Sequence, residues 1–359
     1  MGQTPLLTFT DRGIHCPAGD FYIDPWRPVA RAVITHAHSD HARPGHGAYL
    51  ATPGTATVMR HRLGPIRVDC AGYGEAVTIN GVTVSFHPAG HVPGSAQVRV
   101  EHGGEVWVVS GDYKTAPDGL SEPFEPIRCH AFISECTFGL PVFRWEPNTL
   151  VMARINRWWA ENAAAGRVSV IGAYALGKAQ RVLAGLDPSI GPIVAHGAVE
   201  AVNVALRGVG YALPPTARLA DTTGADLRRA LVLAPPGAVG STWARRLGEM
   251  AEASASGWMA IRGIRRRRGL GTGFVISDHA DFVGLTDAIR ATGADRVFVT
   301  HGYTGPFRRW LEDQGYQAGV VETEFAGEEA DVGADQGPDQ AGDHALPTEP
   351  DAEGGAIRE

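Results

Sequence analysis

Residues Ala32–Thr35 read as a buried β-strand, and the chain leaves it directly into His36-Ala37-His38-Ser39-Asp40-His41. Three imidazoles and a carboxylate packed so closely are poor packing residues but good ligands: imidazole nitrogen and carboxylate oxygen suit zinc, manganese and iron. The same local grammar recurs. Val84-Ser85-Phe86 runs towards His91, Val106–Ser110 reaches Gly111-Asp112, and Ala131–Ser134 ends at Glu135. Later, Phe274–Ser277 leads to Asp278-His279, and Arg296–Thr300 ends at His301. Open α/β folds place ligands at the carboxyl ends of their strands, so one fold can gather these ends into one site. His36, His38, Asp40, His41, His91, Asp112 and His301 exceed the three or four protein ligands of one zinc. They therefore predict two divalent ions, zinc or manganese. Such a pair, about 3.5–4 Å apart, can acidify a shared water and stabilise charge on a phosphoryl group. Asp112 is the natural bridging carboxylate.

The pattern around these strands predicts an α/β protein. The first 140 or so residues are short β-type runs punctuated by Gly and Pro. From about Thr149 helical periodicity appears at Leu150–Ala165, Lys178–Leu186, Glu200–Gly208 and Ser241–Ala253. Short strands at Val168–Ile171 and Leu231–Leu233 interleave with these helices, and a last helix is expected near Pro306–Gln314. A unit inserted between about 147 and 270 explains why the β-rich pattern stops and then resumes. The expected divisions are 1–146 and 271–327 for a split first domain, 147–270 for the insertion, and 328–359 for a tail.

That tail explains the formal net charge of −7, because it carries ten acidic residues and one arginine. The other 327 residues hold 31 basic and 29 acidic groups. With almost no large apolar side chains, the tail is expected to be disordered. Cys16, Cys70, Cys129 and Cys136 are scattered without a CxxC pair, which argues against a zinc ribbon or disulfide framework. No apolar run is long enough for a membrane span, and Met1–Asp11 lacks the features of a signal peptide. A cytoplasmic location is expected.

The set formed by HxHxDH, His91 and Gly111-Asp112 resembles the metallo-β-lactamase superfamily. Ser134-Glu135-Cys136-Thr137-Phe138-Gly139, Ser277-Asp278-His279-Ala280-Asp281 and Thr300-His301-Gly302 resemble motifs A, B and C of its β-CASP nucleases. The chain is most similar to bacterial ligase-associated DNA exonucleases, through Gly111-Asp112-Tyr113-Lys114, Thr137–Pro141, Arg265–Arg268 and His301-Gly302-Tyr303. The likeness runs from Leu6 to about Phe325. It implies a metallo-β-lactamase αββα sandwich with an inserted α/β β-CASP domain. It further implies one metal held by His36, His38 and His91, a second by Asp40, His41 and His301, and Asp112 between them. Asp40, Glu135 and His279 would be catalytic, with Glu135 orienting His279 beside the scissile phosphate. The implied activity is a two-metal DNA exonuclease of repair, associated with a DNA ligase or helicase.

Substrate features are less specific. Arg265, Arg266, Arg267 and Arg268 can track a phosphate backbone, although a basic run alone also fits a solvated loop. Lys178 follows a glycine-containing turn, Gly172–Gly177, whose helix N-terminus suits a phosphate. Trp158, Trp159 and Trp243 can stack bases or pack in the core, and their helical spacing favours the core. Histidine at position 301 is more typical of RNA-processing members of the β-CASP group, so an RNA-processing nuclease is the alternative. A small-molecule metallo-hydrolase and a catalytically dead nucleic-acid scaffold are the other classes the sequence allows.

Overall fold

The computed structural model describes residues 5–263 and 271–323. Its first sheet runs β1 (Thr8–Thr10), β2 (Gly13–Cys16), β3 (Phe21–Ile23), β4 (Arg31–Val33), β5 (Ala48–Ala51) and β6 (Val68–Cys70) in sequence order. The second begins with β7 (Ala76–Ile79), β8 (Val82–Pro88), β9 (Ala96–His102), β10 (Glu105–Val109) and β11 (Ala131–Cys136). The chain then builds a third sheet from β12 (Val168–Gly172), β13 (Ile193–Ala195), β14 (Leu231–Ala234), β15 (Met250–Ala255) and β16 (Thr272–Phe274). It returns to the second sheet as β17 (Arg296–Gly302) and β18 (Gln317–Val320), giving the order β18-β17-β11-β10-β9-β8-β7.

Period-two alternation packs the first two sheets face to face. Trp107 and Val109 of β10, with Ile133 of β11, point inwards onto Ile14, Phe21, Ile23 and Val33 of the first sheet. Val108 and Phe132 point the other way, onto Leu285, Ile289, Phe307 and Leu311. Those four lie on helices Phe282–Thr292 and Thr304–Asp313, which cover the outer face. The first sheet's outer face carries Ala32, Tyr49 and Ala51 against Val58 and Met59 of helix Pro53–Leu63. That helix starts where the Thr52 side chain accepts from Thr55 N, with Pro53 in its first turn. The result is helix, sheet, sheet, helix in layers.

The third sheet is parallel throughout, and every residue of β12 and β14 is buried, as central parallel strands require. One face joins helix Asn148–Ala164 through Val151, Ile155 and Trp159. The other packs Val168, Val170 and Val232 against Leu247.

Helices expected at Leu150–Ala165, Lys178–Leu186 and Glu200–Gly208 are present at Asn148–Ala164, Lys178–Ala184 and Gly197–Gly208. The helix expected over Ser241–Ala253 is not. A short turn of 3-10 helix, Ala244–Leu247, is closed by Gly248 at φ 74°, and Met250–Ala255 pairs with β12 as a strand. Sheet pairing overrides the helical propensity of these small residues. The strand expected over Phe274–Ser277 stops at Phe274. Beyond it, the Ser277 carbonyl accepts from Lys114 Nζ and Arg181 Nη1 rather than from a neighbouring strand. Arg265–Arg268 and the acidic tail, 328–359, lie outside the described residues.

Candidate metal centre

The sites expected at strand ends converge. His36, His38 and Asp40 follow β4, His91 follows β8, Asp112 follows β10, Glu135 lies in β11 and His301 in β17. Their donor atoms fall into three groups, each within 4.8 Å: His36, His38, His91 and Asp112; Asp40, His41 and His301; Asp112, Glu135 and His279. Asp112 belongs to the first and third groups, and it also reaches the second. Its Oδ1 lies 3.3 Å from His301 Nδ1, and its Oδ2 lies 3.5 Å from His41 Nε2.

The hydrogen bonds behind the rings fix which nitrogens face inwards as lone pairs. Thr35 Oγ1 gives its only proton to Asp24 Oδ2 at 2.6 Å, so it accepts from His36 Nδ1 at 3.1 Å. His38 Nε2 donates to the Leu176 carbonyl at 3.2 Å, and His91 Nδ1 to the Asp278 carbonyl at 2.9 Å. In each neutral ring the other nitrogen is then an acceptor. Those acceptors face one another: His38 Nδ1 lies 3.0 Å from His36 Nε2 and 3.1 Å from His91 Nε2. Three lone pairs so close repel unless a cation lies among them. The donor set therefore fits a metal ion, with its tautomers set by outer partners.

The second group passes the same test. His41 Nδ1 donates to Asp24 Oδ2 at 2.7 Å, leaving Nε2 buried without a hydrogen-bond partner among the described residues. That nitrogen faces Asp40 Oδ2 at 3.2 Å and Asp112 Oδ2 at 3.5 Å. A cation between one imidazole and two carboxylates satisfies all three. The electrostatics agree. Burial, helped by neighbouring imidazoles, holds His36 and His91 well below the usual histidine range and therefore neutral. Burial opposes charge on Asp112, yet His41 and His279 hold its carboxyl well below the usual range. Burial likewise opposes a charged His41, but Asp40, Asp112 and Asp24 raise it well above normal, so the three carboxylates call for a positive charge at Nε2, which a proton supplies or a metal ion would supply in its place.

Glu135 and His279 form a separate pair. His279 Nδ1 donates to Glu135 Oε1 and Oε2 at 2.8 and 2.9 Å. Glu135 is held in turn by the backbone N–H groups of Tyr113 and Thr137. The His279 ring lies 4.7 Å from the His91 ring. With Nδ1 committed to Glu135, Nε2 is the ring's second nitrogen, the atom through which the ring could serve a bound group.

Two backbone positions allow this closeness. Gly111 has φ 55°, and a Cβ there would sit 2.6 Å from Thr35 Cβ, the residue that orients His36. His301 itself adopts φ 56°, an uncommon left-handed conformation for a non-glycine residue.

Not every expected residue arrives. Lys178, expected to touch nucleic acid, is 1% exposed, with Nζ 3.2 Å from Asp278 Oδ2 and over the Tyr174 ring. It belongs to a buried charge network behind the site, and its helix is too short and too enclosed to present a phosphate site. Arg181 completes that network, pairing with Asp118 at 2.8 Å and donating to the carbonyls of His91 and Ser277. Trp159 is core, and Trp158 packs on Phe274. Asp24 was not expected. It accepts from Thr35 N, Thr35 Oγ1 and His41 Nδ1, so one carboxylate orients both histidine groups. Its sequence signal was the same as the others, an acidic residue directly after the apolar strand Phe21-Tyr22-Ile23.

No protein-family model matches the chain. It is 31% identical over 313 residues to a protein named "Probable DNA ligase" from Opitutus terrae, covering 86% of this chain and 30% of that protein. It is 31% identical over 153 residues to "Ribonuclease TTHA0252" from Thermus thermophilus, covering 35% of each. It is 28% identical over 123 residues to "Endoribonuclease YSH1" from Eremothecium gossypii, covering 34% of this chain and 16% of that one. The chain thus spans about a third or less of the curated relatives it matches. A crystal structure of a protein of unknown function from Enterococcus faecalis shares the fold, with a TM-score of 0.54 at 11% identity, over 82% of this chain and 79% of that one. Two of these relatives are named as nucleases, and the donor groups of this chain are potential metal sites. Among the described residues no helix is long and apolar enough to cross a membrane.

Proposed function

We propose that the chain is a two-metal phosphodiesterase of the metallo-β-lactamase/β-CASP type, acting as a DNA exonuclease in repair. The observation that carries this reading is the meeting of two lone-pair donor groups at Asp112, directly beside the Glu135–His279 pair. His36, His38 and His91 would hold one ion, Asp40, His41 and His301 the other, and Asp112 both. An imidazole-rich first group suits zinc, and the second, richer in carboxylate, also suits manganese. When bound, two such ions supply Lewis acidity to a phosphoryl centre.

The protein's own groups do the rest. Glu135 fixes the His279 ring, and His279 Nε2 exchanges a hydrogen bond or a proton with a phosphate oxygen or the leaving oxygen. Asp24 and Thr35 keep His36 and His41 aimed inwards. Four strands of the third sheet, β12 to β15, would form the core of the proposed inserted domain, 147–270, between the two parts of the frame, 1–146 and 271–327, and the fifth, β16 (Thr272–Phe274), extends that sheet a few residues past the proposed boundary. Support comes from β11 and β17, which pair directly although the whole third sheet lies between them in sequence. Arg265–Arg268 would follow the strand's phosphates. The similarity to part of a protein named as a DNA ligase supports a ligase as partner.

The second reading, an RNA-processing nuclease, is favoured by the names of the two other relatives and by His301 within the donor group. Digestion of matched, end-labelled DNA and RNA with added zinc or manganese separates the two. Shortening of DNA from one end is expected. Preference for RNA would transfer the assignment, and inertness towards both would end it.

A further inference from the structure

The tryptophans that look most like base-stacking residues in the sequence are committed elsewhere, while a different set of aromatics surrounds His279. Phe138 lies 5.9 Å from the His279 ring and is the hub, with Phe143 and Trp145 each at 4.8 Å and Trp258 at 5.0 Å. Tyr303 closes the group, 6.0 Å from Phe143 and 6.4 Å from Trp258. Phe138 and Phe143 are fully buried, whereas Trp145, Trp258 and Tyr303 are half-buried. The inner two are core; the outer three are half-buried beside the candidate centre.

Trp145 is tied to the reacting histidine itself. Its Nε1 donates to the His279 carbonyl at 2.9 Å, and its backbone N–H to Asp281 Oδ2 at 2.9 Å. Asp281 also caps helix Phe282–Thr292. A ring pinned this firmly loses little entropy when a ligand lies on it. Exposed cations flank the group in sequence, Arg144 before Trp145 and Arg262 after Trp258. Aromatic rings with exposed cations near them in sequence, beside the candidate centre, suit a single strand, whose bases stack while its phosphates pair with positive charge.

Resting on the phosphodiesterase reading, we propose that Trp145, Trp258 and Tyr303 form a stacking site for the nucleobase next to the scissile phosphate. Stacking reads no base edge, so the site grips any sequence while it aligns the backbone with His279.

The test compares binding of a labelled oligothymidylate with that of the same strand made entirely of abasic residues. Fluorescence anisotropy on the full chain in chelator keeps both strands intact. The wild type should bind the base-bearing strand roughly five- to 150-fold more tightly, the value of one stacked base. Trp258→Ala should remove most of that preference, Trp258→Phe should keep it, and Tyr303→Leu should reduce it, with circular dichroism confirming a folded chain in each. Equal affinities in the wild type, or an undiminished preference in folded Trp258→Ala, would overturn the stacking site. A parallel cleavage assay with metal added reports on the reaction alone. Base preference without any cleavage would overturn the placement beside a scissile bond, whereas cleavage without base preference would spare the reaction and overturn only the stacking.

Discussion

Asp278 meets the candidate centre with its backbone and helix Lys178–Ala184 with its side chain. Its carbonyl accepts from His91 Nδ1 at 2.9 Å, while its carboxylate faces Lys178 Nζ at 3.2 Å and Arg181 Nε at 3.5 Å. All three side chains are nearly or fully buried. Those two cations hold the Asp278 carboxyl below the usual range although burial opposes its charge. Removing one partner of a buried charge set costs about 3–5 kcal/mol, because the remaining charges stay desolvated. Asp278→Ala should therefore lower unfolding stability by that order in urea titration and loosen His91. An unchanged midpoint would mean that the network contributes nothing to stability.

The outer bonds make a distinct prediction for Asp24, which holds Thr35 and His41 from behind. Partners behind metal-binding histidines are typically worth about 10- to 100-fold in metal affinity. Asp24→Ala should weaken zinc or manganese binding by that range, with activity recovering as metal concentration rises. His38→Ala and Asp112→Ala should lose activity at every metal concentration. Metal titration with activity as readout separates the two patterns, and loss of activity in Asp24→Ala that excess metal leaves uncorrected would assign Asp24 another role.

Glu135 should behave differently from the ligands. Its oxygens engage His279 and two backbone N–H groups, so Glu135→Gln should keep most bound metal while turnover falls. General acid–base partners are worth about 10²- to 10⁴-fold, and kcat rather than KM should carry the loss. Elemental analysis of the purified variant checks the metal. Coincident loss of metal and turnover would make Glu135 a ligand rather than an orienter.

The centre was legible because its chemistry sits at strand ends, and a strand end is readable from an apolar run followed by one polar residue. His36, His91, Asp112 and His301 each carried that signature, and so did Asp24 after Ile23. What lay hidden was partnership across the fold. Nothing local tells that Lys178, after a glycine turn, faces Asp278 a hundred residues later rather than a phosphate. Burial of a long cation depends on a partner that a linear reading does not supply. The strand Met250–Ala255 was missed for a related reason: its alanines, Met250 and Glu252 favour a helix locally, and pairing with β12 overrides them. The aromatic group was hidden as well, since Trp145, Trp258 and Tyr303 come from three distant segments and share no spacing.

Trp159 tests the division between core and surface aromatics. It is fully buried, and its Nε1 donates to the Arg229 carbonyl at 2.8 Å. Replacing a buried tryptophan by alanine costs about 3–5 kcal/mol. Trp159→Ala should lower the unfolding midpoint strongly. Where the folded fraction is corrected for, it should leave strand affinity unchanged. A selective loss of nucleic-acid binding would move Trp159 out of the core role.

The arginine run makes a prediction that salt can read. Each phosphate contact to a single strand releases about 0.7 of a counterion, so four contacts contribute about 3 to the slope of log affinity against log salt. Changing Arg265, Arg266, Arg267 and Arg268 together to glutamine should weaken strand binding at low salt and flatten that slope by up to this amount. The effect should be the same for every base sequence, because phosphate contacts carry no sequence information. It should also be the same for base-bearing and abasic strands, which separates the arginines from Trp258. A slope equal to that of the wild type would make the run a solvated surface segment and leave the stacking aromatics and the metal centre as the whole of the grip on the strand.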